Sequence, residues 1–271
     1  MSPPACSIPK EPGEKDRLDD LQRTVSASRL GLFLQCRLKF YFRHVLRLKK
    51  PKTPSLHVGS SVHAVLKARN KARWVEQPLT LKQAHDVFFD AWADPAEGSV
   101  PWGPGEEECE KTTGWRLVET YLRESHVPAE EKLDAVEVPI EADLHQHGLP
   151  KLIGVLDLVQ QQQIIDYKTC ATTPHAEKIV HATEIQTSAY ALLYRHNTGQ
   201  QEKGMQLHHL VKLKNPKVVL TPLPPMSPQQ ETRLYRQMEA YLNGLQHGQF
   251  VPSPGMHCAS CEFFPECRHW H

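Results

Sequence analysis

One short segment constrains the fold more than any other, because two strand-like runs flank four consecutive glutamines. Residues 154–169 read Gly-Val-Leu-Asp-Leu-Val-Gln-Gln-Gln-Gln-Ile-Ile-Asp-Tyr-Lys-Thr. Branched aliphatic residues on both sides of a short polar turn are typical of an antiparallel hairpin. If the turn is centred on Gln161 and Gln162, Asp157 lies opposite Asp166. Lys168 then lies on the same face as Asp166, because strand side chains alternate with a period of two.

Two carboxylates directly opposite each other destabilise a sheet unless one takes a proton or a cation lies between them. Leu156, Leu158, Ile164 and Ile165 flank the pair and would partly remove it from water. Mg²⁺ prefers such all-oxygen surroundings, and a nearby lysine can stabilise developing negative charge. A solvent-exposed hairpin with two carboxylates and a neighbouring lysine remains the alternative.

The remaining pattern predicts an α/β protein with a helical N-terminal part. Residues 1–25 are rich in proline and charge and are predicted to be a disordered tail, with Ser26 as a helix N-cap. A helical region is expected over 26–128, an α/β core over 129–225, and a helix with a Cys-rich tail over 226–271. The predicted strands are Leu133–Leu144, Lys151–Val159, Gln163–Lys168, Met205–Leu213 and Lys217–Leu223. The predicted helices are Leu30–Leu46, Ser60–Trp74, Leu81–Trp92, Glu107–Ser125, Lys178–His196 and Ser227–His247.

The sequence has no run of eighteen apolar residues and no apolar N-terminal stretch, so we expect no membrane span and no signal peptide. A cytoplasmic protein is the expectation.

The formal net charge of +1 conceals an uneven distribution. The segment from Arg23 to Arg73 holds thirteen Lys or Arg and no Asp or Glu, whereas Trp74 to Glu141 holds sixteen acidic and five basic residues. A basic block of this kind is the electrostatic footprint of a polyanion partner, or else a solvated helical face. Phe40, Tyr41 and Phe42 lie within it and are either base-stacking residues or core residues.

Three of the seven cysteines form a C-x2-C-x5-C pattern, at Cys258, Cys261 and Cys267. A fourth ligand would complete a metal site. For zinc it could be a local histidine, His257, His269 or His271, whereas an iron–sulfur cluster usually takes a fourth thiolate.

Several motifs together resemble the PD-(D/E)xK nuclease superfamily. Gly154-x-x-Asp157 followed by Asp166-x-Lys168 is similar to its core hairpin. Gln186-x-x-x-Tyr190, Gly59-x-x-x-His63 and the Leu-x-x-Phe-Leu-Gln-Cys-x-x-x-Phe pattern from Leu30 are similar to motifs of its RecB-like branch. The resemblance covers about Ser26 to Cys267 and implies a restriction-endonuclease-like mixed sheet flanked by helices.

The resemblance also implies roles for individual residues. It makes Lys168 the catalytic lysine beside Asp157 and Asp166, and it makes Gln186 and Tyr190 residues that orient the site or the DNA backbone. The implied ligands of Mg²⁺ or Mn²⁺ are His63, Asp157, Asp166 and the Tyr167 carbonyl. Glu137 is a weaker candidate for supporting the metal or the lysine.

The AddB-like and CRISPR-associated nucleases of that superfamily pair one N-terminal cysteine with a C-terminal C-x2-C-x5-C, and the resemblance therefore implies a [4Fe–4S] cluster on Cys36, Cys258, Cys261 and Cys267. Arg37 stands where proline is common in that family. The implied function is a metal-dependent DNA nuclease, and an exonuclease acting on single strands or duplex ends is expected. A separate helicase or recombinase is an expected partner, since the sequence has no G-x-x-x-x-G-K-[ST] motif. The alternatives are a non-catalytic DNA-binding scaffold of the same fold, and a zinc-stapled or RNA-directed nuclease.

Overall fold

The computed structural model of the chain describes residues 13–94, 98–124, 127 and 132–270. The chain divides into two compact units that interleave along the sequence. The first contains residues 1–49, 143–151 and 236–271, and the second contains residues 50–142 and 152–235. This division differs from the consecutive segments predicted from the sequence, because the C-terminal residues pack with the N-terminal ones within the first unit.

The second unit is built on a mixed sheet, which confirms the predicted α/β class. Along the chain, a short strand β1 (Thr24–Ser26) of the first unit precedes the five strands of the second unit. Their order is β2-β3-β4-β5-β6, in which β4 and β5 are parallel and the other neighbours are antiparallel. The strands are β2 (Leu133–Ala142), β3 (Lys151–Gln160), β4 (Gln163–Cys170), β5 (Met205–Val211) and β6 (Lys217–Leu223).

The β3–β4 hairpin has the register expected from the sequence. Gln160 pairs with Gln163 and Leu158 pairs with Ile165. The two-residue turn places Gln161 at φ 50° and Gln162 at φ 65°, the left-handed conformation that such hairpin turns require. One step beyond Leu158, the carboxylate of Asp157 accepts a hydrogen bond from the Tyr167 N–H, so the side chain takes up a backbone donor of β4.

The two faces of this sheet bury different residues, as the two-residue period requires. Leu158, Ile165 and Tyr167 pack on one face, in a core that also contains Val62 and Leu117. Leu156, Ile164 and Leu207 pack on the other face with Tyr194. Because helices pack against both faces, side chains from helices on either face can reach the hairpin.

The helices of the second unit follow the predicted order with two differences. The first helix begins at Pro54 rather than Ser60, because Thr53 caps it through a hydrogen bond from the Leu56 N–H. The predicted helix Lys178–His196 is two helices that break at Thr183. The bounds are α4 (Pro54–Trp74), α5 (Leu81–Ala93), α6 (Glu106–Glu124), α7 (Ala176–Ala182) and α8 (Glu184–Thr198); α9 (Pro228–Gln246) continues into the first unit.

The prediction that residues 1–25 form a disordered tail is wrong for residues 14–25, which form regular secondary structure. A helix, α1, spans Glu14–Arg23, and β1 follows it; residues 1–12 lie outside the described residues. The helix carries acidic residues in its first turn and Arg23 in its last, which favours helix formation through the backbone dipole. Leu21 is buried, and its carbonyl accepts a hydrogen bond from the Tyr241 hydroxyl.

The predicted helix Leu30–Leu46 is interrupted at Cys36. Ser26 caps α2 (Ala27–Gln35) as expected, by accepting from the Arg29 N–H. Cys36 is extended, with φ −159°, and separates α2 from α3 (Arg37–Phe40). A π-helical turn, Tyr41–Val45, follows.

The base-stacking role considered for Phe40 and Phe42 is wrong, because both side chains are buried. Phe40 packs edge-on against Phe33 and Tyr241, with ring centres 5.3 and 5.7 Å away. Phe42 packs 5.7 Å from Phe263. These rings therefore form the core of the first unit, as aromatic residues most often do.

The C-terminal part of the first unit contains a 3-10 turn, Met256–Ser260, and a short helix, α10 (Phe264–Arg268). Among the helices of the described residues, none has the length and apolar character needed to cross a membrane.

Gly204 is expected to be essential to the β4–β5 connection. Its φ is +118°, and a Cβ there would lie 2.3 Å from the Leu223 carbonyl oxygen. Its own carbonyl accepts from the Ile164 N–H of β4. Gly204→Ala should lower the free energy of unfolding by at least ~3 kcal/mol in urea titrations, because backbone must move.

Gly199→Ala is the matched control. Gly199 also has a positive φ, of +68°, but open space where the Cβ would lie. It should cost only ~1 kcal/mol, the penalty of the left-handed conformation. Equal stability of the two variants would contradict this account of Gly204.

Candidate active site

Two aspartates of the β3–β4 hairpin form the centre of the site. The Asp157 side chain is 15% exposed and that of Asp166 is 3% exposed. Burial and the neighbouring Asp166 carboxylate raise the pKa of Asp157 to about 6. The hydrogen bond from the Tyr167 N–H and the nearby His63 act in the opposite direction. Two carboxylates held this close out of water carry a repulsion that a cation would relieve.

Lys168 lies on the face of β4 that carries Asp166. Its Nζ is 2.8 Å from Asp166 Oδ2, and its side chain is one-third exposed. The lysine therefore balances one of the two carboxylates and still reaches the surface, where it can meet an anionic group. This geometry agrees with the spacing predicted from Asp-x-Lys.

Helix α8 contributes two side chains to the same point. Gln186 Nε2 donates to Asp166 Oδ1 at 2.9 Å and to the Tyr190 hydroxyl at 3.1 Å. Burial and the Asp166 carboxylate raise the pKa of Tyr190 to about 12, which keeps the hydroxyl protonated. Helix α8 can approach β3 this closely because the strand residue facing it, Gly154, has no side chain. A Cβ at Gly154 would lie 2.7 Å from Leu193 Cδ1 of α8.

Helix α4 brings His63 to the hairpin from the other side. The His63 Nε2–H donates to the Tyr167 carbonyl at 2.9 Å, and Nδ1 lies 3.8 Å from Asp157 Oδ2. One turn earlier, a Cβ at Gly59 would lie 3.2 Å from Thr169 Oγ1 of β4. The glycine of Gly-x-x-x-His thus permits the close approach that sets the histidine beside the carboxylates. His57, also on α4, packs instead against Trp92 and Trp102.

Glu137 and Lys67 form an ion pair next to this centre. Glu137 lies between Val136 and Val138, whose strand partners flank Asp157. Its φ is +51°, which costs free energy for a residue with a side chain, and its carboxylate is 3.1 Å from Lys67 Nζ. The glutamate also helps to raise the pKa of Asp157. Lys67 was not among the residues predicted from the sequence, although its position one turn after His63 on a helix could have indicated it.

A buried polar network lies on the α4 side of the site. Asn70 donates to the Tyr167 hydroxyl at 2.9 Å. The hydroxyl of Tyr121 lies 2.7 Å from His208 Nδ1, and His208 Nε2 lies 2.6 Å from the Gln206 amide oxygen. Because Tyr167 supplies both the N–H to Asp157 and the carbonyl to His63, the network fixes the residue that links these two groups.

The four cysteines singled out by the sequence come together in the first unit. Cys36, Cys258, Cys261 and Cys267 line one cavity of about 50 Å³. Their apolar neighbours are Leu38, Phe42 and Phe263. Burial and the other three thiols raise the pKa of Cys267. His257 also lines the cavity, whereas the Nδ1 of His269 is hydrogen-bonded to the Pro265 carbonyl and His271 lies outside the described residues.

Neither site has its donors drawn together as for a bound metal. Within the described ranges, no group of three or more His, Cys, Asp or Glu side chains is arranged to hold an ion. In the hairpin site, the ammonium of Lys168 forms an ion pair with one oxygen of Asp166, and His63 donates a hydrogen bond to the Tyr167 carbonyl.

The raised pKa of Asp157 gives a pH-dependent stability in the presence of a chelator. The carboxyl binds its proton more tightly in the folded state, with a pKa of about 6, than in the unfolded chain, whose value is 3.8. Its contribution is therefore most favourable below pH 4 and is lost as the pH rises to about 6, a change of ~3 kcal/mol. Asp157→Asn should be more stable than the wild type at pH 7.5, and the difference should shrink towards pH 4.5 in urea titrations. A difference that does not vary with pH would contradict the assignment.

Comparison with known proteins places this geometry in a family. The family model described as the PD-(D/E)XK nuclease superfamily matches residues 24–268. A search of curated proteins gave no match. Among solved structures, the chain is similar to a crystal structure described as a putative exonuclease from Eubacterium rectale, with a TM-score of 0.61 and 14% identity. The likeness covers 100% of this chain and 94% of that chain, and at this identity it supports the fold alone. The chain belongs to the PD-(D/E)XK nuclease superfamily, whose members hydrolyse phosphodiester bonds.

Proposed function

We propose that this protein is a metal-dependent deoxyribonuclease of the RecB-like branch, and that it acts as an exonuclease. The observation that carries the proposal is the convergence of Asp157, Asp166 and Lys168 on one hairpin with His63 and Gln186 from two helices. The resemblance to that branch assigns each of these residues to one of its motifs.

The hairpin residues fit a divalent cation by their chemistry. Asp157, Asp166 and the Tyr167 carbonyl offer oxygen donors, and His63 offers a ring nitrogen beside them. Burial and the neighbouring Asp166 carboxylate raise the pKa of Asp157, and a bound cation would offset both effects. A bound Mg²⁺ or Mn²⁺ would supply a more acidic water and a polarised phosphoryl oxygen.

The other residues of the site act on the substrate or on the carboxylates. Lys168 presents its ammonium beside Asp166, where it would stabilise negative charge on the scissile phosphate. Gln186 holds Asp166 Oδ1 and thereby fixes the orientation of that carboxylate. The Tyr190 hydroxyl stays protonated at neutral pH and can donate to a phosphate oxygen of the DNA backbone. Lys67 holds Glu137, which supports the negative potential around Asp157.

The choice of DNA and of exonuclease action rests on family analogy. The RecB-like motifs occur here in the order in which that branch has them, and one structural neighbour is described as a putative exonuclease. We propose single strands or duplex ends as substrates, in repair, recombination or the processing of phage DNA. A separate helicase or recombinase would supply unwinding, and a cytoplasmic location would suit the free thiols.

We further propose that Cys36, Cys258, Cys261 and Cys267 hold a [4Fe–4S] cluster. Four thiols that line one small cavity with apolar neighbours provide the donor set that such a cluster needs. The extended Cys36 breaks the helix between α2 and α3, which turns its side chain towards the C-terminal cysteines. The cluster would be a structural staple between the two ends of the chain in the first unit.

The nuclease proposal predicts which side chains are indispensable. With Mg²⁺ or Mn²⁺, the protein should shorten end-labelled DNA, and Asp166→Ala and Lys168→Ala should each lower the rate at least ~100-fold through loss of transition-state stabilisation. Lys178→Ala, at an exposed position on α7, is the matched control and should keep the wild-type rate. The assay should include single-stranded DNA, duplex DNA and RNA.

Equal rates for the wild type and both active-site variants would reject catalysis at this hairpin and favour a DNA-binding scaffold. Faster hydrolysis of RNA than of DNA would reject the proposed substrate.

The cluster proposal predicts a colour and a metal content. Protein purified without oxygen should show broad visible absorption and about four iron atoms per chain, both of which Cys258→Ser should largely abolish. Cys109→Ser is the control, because Cys109 is an exposed free thiol on α6. Zinc in a colourless protein would overturn the iron–sulfur assignment in favour of a zinc staple.

A further inference from the structure

The second unit contains a large open cavity among its helices, and none of the lining residues that the structure describes belongs to the hairpin site. It measures about 700 Å³ and is bounded by the C-terminal part of α4, the start of α5 and the C-terminal part of α6. Its apolar lining includes Pro78, Leu79 and Leu122. A second cavity of about 350 Å³ shares Glu119 and Arg123 with it and is lined in addition by Arg116 and Asn215.

Arginine dominates the charged residues of these two cavities. Four arginines face two glutamates, Glu76 and Glu119, which leaves a formal surplus of two positive charges; the arginines are Arg69, Arg73, Arg116 and Arg123. Arginine is the side chain best suited to phosphate, because its planar guanidinium can donate two parallel hydrogen bonds. The apolar lining residues of the same cavity can contact a base or a sugar.

Arg69 is held in place without using all of its donors. Its guanidinium lies 5.7 Å from the centre of the buried Tyr121 ring, which fixes the side chain by a cation–π contact. Its Nη1 is buried and has no hydrogen-bond acceptor among the residues that the structure describes. An unsatisfied buried donor on a cation costs free energy, and a phosphate bound in the cavity would offset that cost through charge attraction.

Helix α4 contributes residues both to the hairpin site and to the cavity. His63 and Lys67 of α4 lie at the carboxylates, and Arg69 and Arg73 follow on the same helix. At 1.5 Å per residue, the arginines lie about 9–15 Å further along the helix axis than His63. This length corresponds to about three to four nucleotides of a stacked strand.

We propose that the cavity is a binding site for the sugar-phosphate backbone and bases of single-stranded DNA, three to four nucleotides from the scissile bond. This inference rests on the proposed function and adds to it the path of the substrate strand. The site explains part of the basic block of the sequence, to which Arg69 and Arg73 belong. Other cations of that block, Lys39 and Arg43, are instead paired with Glu262 in the first unit.

The test is the binding of a fluorescent single-stranded oligonucleotide to the full chain with a chelator present, so that cleavage does not interfere. Arg116→Ala combined with Arg123→Ala removes two exposed guanidinium groups of the cavities. It should weaken binding at least ~10-fold and reduce the slope of log Kd against log salt by about 1.4. Shortening the oligonucleotide to three nucleotides should remove most of the difference between variant and wild type.

The matched control is Arg236→Ala, at an exposed position on α9 outside both cavities, which should bind as the wild type does. If the double variant binds as tightly as the control, the cavity does not hold DNA and the inference is overturned. Because this assay needs no hydrolysis, its result is separate from that of the nuclease assay. Inactive wild-type protein whose DNA binding still depends on Arg116 and Arg123 would reject the catalytic proposal and retain this one.

Discussion

The site depends on two carboxylates that the fold keeps close together with little access to water. Asp166 is almost fully buried, and Asp157 is largely so. The β3–β4 hairpin relieves their repulsion only in part, because the Tyr167 N–H and the Lys168 ammonium each contact a single carboxylate oxygen. Burial and the remaining repulsion from Asp166 raise the pKa of Asp157. A divalent cation would offset both the burial and the repulsion of the pair, so their chemistry supports the proposed cation site.

Close packing of helices on the sheet supplies the rest of the site. Gly59 lets α4 approach β4 and brings His63 to the Tyr167 carbonyl. Gly154 lets α8 approach β3 and brings Gln186 to Asp166. Each glycine is the first residue of a sequence motif. The motif of Gly59 ends at His63, four positions later, and that of Gly154 ends at Asp157, three positions later. A methyl group at either glycine would meet a neighbouring side chain. The glycines of these motifs therefore permit close packing of helix on strand, and the other motif residues supply the chemical groups.

The hairpin and its register could be predicted from the sequence because the two-residue turn at Gln161–Gln162 leaves only one register that keeps the apolar residues buried. The motif residues could be placed because each motif is short and local. The interruption at Cys36 could not be predicted, since the apolar period continues through it and the C-terminal cysteines that share its cavity are distant in sequence. Helix α1 was not predicted because its sequence is strongly polar. Leu21 is its one buried residue, so the sequence shows no apolar helical period. The arginine cavity depends on three helices and has no signature in any one segment.

The most direct test of the account is the thermal unfolding of the protein as a function of Mn²⁺ concentration, compared with Asp157→Asn under the same conditions. If the two carboxylates form a cation site, Mn²⁺ should raise the Tm of the wild type by several degrees in a saturable way. The gain is about 2.7 kcal/mol at a free Mn²⁺ concentration 100-fold above Kd. Asp157→Asn should start from a higher Tm without metal and gain little from Mn²⁺. The same Mn²⁺-dependent rise in both proteins, or no rise in either, would contradict the claim that this carboxylate pair exists to bind a metal.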